Sequence, residues 1–128
     1  MQITLDDLLM EGEVTEQHIQ KGERECFVKC PIALTLQEMI DNNPRLPNNL
    51  IVHIHETRAN IYPGDIENTH GFINYQEQSL AEITATPAIT QWIKNYDENR
   101  TANSMKIETK KEKSVGGDTR VYLYIGEN

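Results

Sequence analysis

The run Thr86-Pro87 followed by Ile89, Trp92, Ile93 and Tyr96 constrains this chain most. Proline suits the first helical position, where its missing N–H has no partner to lose, and Thr86 before it is a natural cap. The four apolar residues then fall at i, i+3, i+4 and i+7, so they form one stripe along a helix that ends in Asp97-Glu98-Asn99-Arg100. Such a helix must bury its stripe against something, and a single Trp in a small domain belongs in that buried stripe. The same logic recurs at Cys30-Pro31, where Cys30 takes the cap position. Ile32, Leu36, Met39 and Ile40 line one face with Ala33 beside them, and Asn42-Asn43-Pro44 stops the helix.

Strands supply the surface these helices need. Leu50 to His55 alternates with period two, which predicts Leu50, Val52 and Ile54 on one face and His53 and His55 on a solvated other. Ala59 to Tyr62 follows a short polar connection and predicts a hairpin closed off by Pro63-Gly64-Asp65. Ser79 to Thr84 reads as a returning strand. Met105 to Ile107 and Arg120 to Ile125 read as a further pair, with Gly116-Gly117-Asp118 giving backbone freedom between them. Phe72, Ile73 and Tyr75 are the candidates for a short strand within the polar stretch 64–80. At the start of the chain, Gln2 to Leu5 reads as a strand and Asp6 to Met10 as a helical turn ending near Gly12. Thr15 then caps a short helix with His18 at its third position and Gly22 after it. This order predicts a single α+β domain over 1–128 with a largely antiparallel sheet.

Charge narrows the partners. Residues 1–100 hold 16 acidic against 7 basic side chains, and residues 101–128 hold 4 against 5. A body this negative repels phosphate, which argues against general nucleic-acid binding, and it suits a basic partner surface, one that normally holds nucleic acid among them. No apolar run approaches the roughly 18 residues of a membrane span, and no basic leader precedes an apolar segment. The chain is therefore expected to be cytoplasmic and away from membranes.

Val14-Thr15-Glu16-Gln17-His18-Ile19-Gln20-Lys21-Gly22, followed by Cys30-Pro31-Ile32-Ala33-Leu34, resembles a pattern in small uncharacterised phage and bacterial proteins. Those read as T-E-x-H-I-x-x-G, then C-P-I-A-L-A-L, a β-hairpin and an amphipathic helix. Thr35 stands where that run has its second alanine. The resemblance spans most of residues 14–100 and implies a phage or mobile-element background. It carries no activity and no site residue.

Several residues have chemistry to offer. Cys26 and Cys30, four apart, with His53 and His55 on one strand face form a possible Cys₂His₂ zinc set. The spacing is looser than in finger-type sites, and a capping or core cysteine and solvated histidines account for the same residues. Cys30 at a helix N-terminus also invites a thiolate reading, with His18, His53, His55 and His70 as nominal bases, although no oxyanion or Cys-x-x-Cys signature accompanies it. Gly116-Gly117 lacks the lysine and helix of a phosphate loop. The 63–80 stretch, with Asp65, Glu67, Asn68, His70, Phe72 and Tyr75, mixes acceptors and aromatics as protein contacts do. Arg58, Lys110, Lys111 and Arg120 are cations on or beside hairpins that suit an anionic nucleotide, while Glu108 and Glu112 dilute the tail cluster. Tyr122 and Tyr124 share a face, which fits a second core layer or a subunit interface in a homo-oligomer.

The expected function is therefore that of a non-enzymatic accessory protein binding a host macromolecule, in sharpest form an inhibitor of a host defence system. No complete catalytic constellation stands in the sequence. The alternatives are a small-ligand protein that sequesters an anionic nucleotide, and a small zinc domain.

Overall fold

The structure is a computed structural model that describes residues 3–24, 26, 29–55, 57–63, 79–98 and 102–126. Strand β1 (Glu11–Val14) leads into helix α1 (Glu16–Lys21) and helix α2 (Pro31–Asp41). The hairpin β2 (Leu50–Ile54) and β3 (Arg58–Pro63) follows, then β4 (Ala81–Ala85), helix α3 (Pro87–Asp97), β5 (Met105–Lys113) and β6 (Thr119–Ile125). The six strands form one curled sheet in the order β1-β5-β6-β4-β3-β2. Every neighbouring pair is antiparallel except β4 and β6, which run parallel. The α+β class holds, and the parallel pair follows from α3 and β5 lying between β4 and β6 in the chain.

Both long helices pack on the same face of the sheet. Ile32, Leu36 and Ile40 of α2 and Ile89, Trp92 and Ile93 of α3 join Val14, Val52, Ile61, Ile83, Ile107 and Leu123 in one buried cluster. The apolar stripe of α3 is fully used, since Ile89, Trp92, Ile93 and Tyr96 are all buried. Trp92 lies parallel to Tyr96 with ring centroids 5.8 Å apart, and its Nε1–H donates to the Asn103 carbonyl at 3.0 Å. Thr86 holds the predicted cap position, but its hydroxyl donates to the Leu123 carbonyl at 2.7 Å, so it ties the helix start to β6. Cys30 caps α2 as expected, with Sγ accepting from the Ala33 N–H.

The N-terminal segment departs from its pattern. No strand forms over Ile3 to Leu5; a single 3-10 turn occupies Asp6–Leu8, and the strand lies later, at Glu11–Val14. The cause is Thr109 of β5, whose N–H donates to the Met10 carbonyl at 2.9 Å and whose hydroxyl accepts from the Met10 N–H at 2.8 Å and donates to the Leu8 carbonyl at 2.7 Å. These bonds fasten residues 8–10 to β5 and start the β1 pairing beyond them. A Cβ at Gly12 would stand 2.6 Å from Met39 Sδ, so Met39 of α2 packs against the strand backbone and would have to shift to admit a side chain there.

Gly64, Asp65 and the proposed strand around Phe72, Ile73 and Tyr75 lie outside the described residues. The alternation in β2 predicts correctly that Leu50, Val52 and Ile54 enter the core, and it misplaces His53. His53 is only 3% exposed, with its ring 4.9 Å from that of Tyr62, and Asn60 beside them is buried too. This end of the sheet is buried on both faces, a state that period two does not distinguish from half-burial.

Candidate functional site

The ends of the strand order, β1 and β2, both meet α2, so the curled sheet brings its two edges to one helix. They end differently. On β2, the Gln37 amide reaches across from α2: its Nε2 donates to the Leu50 carbonyl at 2.8 Å and its Oε1 accepts from the Val52 N–H at 3.0 Å. The His55 N–H donates to the Arg58 carbonyl, and alternation from there turns the backbone groups of Leu50 and Val52 outward, where Gln37 meets them. One side chain therefore fills two hydrogen-bonding positions that a neighbouring strand would otherwise take.

On β1 the bonded Met10–Thr109 pair sets the phase. Alternation makes Gly12–Ile107 and Val14–Met105 the next bonded pairs, so the N–H and C=O of Glu11 and Glu13 point away from β5. Among the described residues no strand pairs with that side. A groove of about 470 Å³ runs along it, walled by Leu9 to Glu13 on one side and by Thr35, Glu38 and Met39 of α2 with its C-cap Asn42 on the other. Those four share one face of the helix by their spacing. Across the opposite face of β1 lies a second hollow of about 370 Å³, lined by Glu11, Glu13, Glu108 and Lys106.

The rim is acidic. Glu11, Glu13 and Glu38 are exposed, and Arg45 at the groove's end is turned to the Asp6 carbonyl at 3.1 Å. Glu38 Oε2 sits 2.9 Å from His18 Nε2. His18 Nδ1 accepts from the Thr15 N–H, completing a capping box with histidine in the usual Glu or Gln position, so Nε2 carries the proton it offers to Glu38. The Thr-x-x-His motif thus steers a carboxylate on the groove wall.

The sequence-derived candidates scatter across the fold. Asp65, Glu67, His70, Phe72 and Tyr75 lie outside the described residues. Arg58, Lys110 and Arg120 share the helix-free face of the sheet, and each has a carboxylate nearby: Glu82, Glu108 and Asp118 at 3.7, 3.4 and 3.9 Å. Lys111 points to the other face and pairs with Asp6 at 2.7 Å. Lys110 also lies over the Tyr124 ring, and the Tyr124 hydroxyl donates to Glu112 at 2.6 Å, a bond that raises the phenol's pKa. Each of these four cations is thus set beside a carboxylate.

The proposed metal ligands are likewise separated. Cys30 starts α2 on the helix side of the sheet, His53 faces the opposite side, and His55 is exposed at the hairpin. The Cys30 N–H donates to the Cys26 carbonyl, so only the two cysteines are neighbours. Among the described residues no group of three or more His, Cys, Asp or Glu is arranged to hold a metal ion. Burial pushes the Cys30 thiol up to about 11, the reverse of an activated nucleophile: desolvation outweighs the helix N–H groups that favour thiolate.

Glu11, Gly12, Glu13, Gln37 and Glu38 were not apparent as site residues in the sequence. A four-residue strand with charge on both sides of a glycine defeats a periodicity search, though acidic residues flanking a glycine are themselves a mark of an edge strand. No protein family, curated protein or solved structure matches the chain. No helix among the described residues is long and apolar enough to cross a membrane.

Proposed function

We propose that this chain is a non-enzymatic binding protein that acts on a host macromolecule through the acidic, unpaired edge of β1. The observation that carries the reading is the contrast at α2: one sheet edge is satisfied by Gln37, while the other leaves the backbone groups of Glu11 and Glu13 facing a groove rimmed by carboxylates. An acidic rim around unpaired backbone fits a basic protein partner. A phage or mobile-element accessory protein that inhibits a host defence system would need such a contact. The anionic-nucleotide and zinc readings draw less support, because each proposed cation has a carboxylate beside it and, among the described residues, no metal-holding group forms.

Capture of a partner from bacterial lysate, with the wild type and a Glu11→Gln/Glu13→Gln variant side by side, tests the reading. A saturable partner that is lost from the variant and released as salt shortens the screening length below about 10 Å is the expected result. A partner held equally by both proteins, or turnover of a defined substrate, would overturn it.

A further inference from the structure

Resting on that binding reading, we infer that the free edge of β1 takes up an extended segment of its partner as a seventh strand, and that this segment carries Lys or Arg at alternate positions with apolar residues between them. The backbone supplies the first reason. Glu11 and Glu13 each present an N–H and a C=O on the outer side, two residues apart, which is the repeat an added strand meets.

The two faces of β1 supply the alternation. In a paired strand, residues directly opposite one another share a face. Positions opposite Glu11 and Glu13 would therefore project beside those two exposed carboxylates, where Lys or Arg is favoured, while Lys106, across from Glu13, and Lys110, paired with Glu108, lie one strand farther in. The intervening positions would turn toward α2 and rest on Met39, which is buried against Gly12 at the floor of the groove. An apolar side chain of moderate size suits that floor, and Glu38 at its rim adds to the attraction for a basic chain.

The same geometry argues against a second copy of this chain as the occupant. Antiparallel self-pairing centred on Gly12 would set Glu11 of each copy against Glu13 of the other, placing like charges directly across from one another on both sides of the centre. The edge is thus protected from itself and open to a strand of opposite charge.

The test uses the full chain and a labelled peptide, acetyl-Lys-Val-Lys-Val-Lys-Val-Lys-amide, read by fluorescence polarisation. Three comparisons accompany it: a peptide of the same composition with its lysines in one block, the alternating peptide N-methylated on its valines or on its lysines, and the variant Glu13→Pro. Proline at 13 removes an outward N–H and spares the bonds to β5, because Glu13 sits in the non-bonded pair with Lys106. Saturable binding of the alternating peptide is expected, weakened roughly tenfold by Glu13→Pro and by one N-methylation pattern, and weaker for the blocked peptide. Equal binding of alternating and blocked peptides, or indifference to both N-methylation patterns, would overturn the added strand, and the peptide arms hold even if Glu13→Pro impairs folding. If the alternating peptide does not bind while lysate capture still depends on Glu11 and Glu13, the inference fails and the broader binding reading stands.

Discussion

The two edges of the sheet solve one problem in opposite ways. Both end at α2, and both turn unpaired backbone outward. At β2 the Gln37 amide closes the edge with two hydrogen bonds from a single side chain. At β1, among the described residues, charge guards it: Glu11 and Glu13 repel a like strand without filling the hydrogen-bonding positions. The lesson is that a side chain seated on an edge fills hydrogen-bonding positions a new strand would need, whereas charge leaves them open and selects among partners.

The largest effect is expected away from both edges, in the core beneath α3. Trp92→Ala empties part of the core that holds α3 against the sheet and should cost about 3–5 kcal/mol. Thermal unfolding followed by circular dichroism would show it as a large fall in melting temperature, and native Trp fluorescence in the wild type should be blue-shifted. An unchanged melting temperature would mean that the stripe is not a core element.

Next is the anchor of α2, the helix that carries both Gln37 and the groove wall. Cys30 ionises near 9 when unfolded, but burial holds it up to about 11 in the fold. Stability linked to this thiol is fully present below pH 9 and is lost as pH rises through about 11, because the unfolded chain releases the proton first. The loss should reach about 2–3 kcal/mol. Cys30→Ser keeps a capping oxygen and lacks this titration, so denaturant midpoints of the two proteins should diverge between pH 8 and pH 11. Parallel alkaline profiles would contradict the buried thiol.

A smaller effect separates the edges themselves. Gln37→Ala opens β2 by removing both bonds and should cost about 1–2 kcal/mol, with self-association rising in light scattering as a second unprotected edge appears. Glu11→Gln or Glu13→Gln should leave stability within about 0.5 kcal/mol, since these side chains are exposed. Equal losses at the two edges would erase the distinction.

Much of this fold is legible in the residues. Proline after a capping residue places both long helices, and the i, i+3, i+4, i+7 stripe of α3 names its buried face in full. The β2–β3 hairpin and the glycine turn before β6 follow from alternation and backbone freedom, with Gly117 at φ +91°. The burial of His53 was not legible, because period two reports that the strand has two faces and not that both are covered. The edge site was hidden for a different reason. Whether Glu11 and Glu13 point their backbone toward β5 or away from it depends on the register set by Thr109, nearly a hundred residues along the chain. Gln37 likewise reads as one polar helix residue until β2 is seen beside it.

Amide hydrogen exchange, resolved residue by residue in the free protein by NMR, tests the contrast most directly. An alternating record is expected on β1, with Gly12 and Val14 slow and Glu11 and Glu13 fast, and on β2 a slow Val52 whose N–H is held by Gln37. Protection of Glu11 and Glu13 equal to that of their neighbours, or fast exchange at Val52, would contradict it.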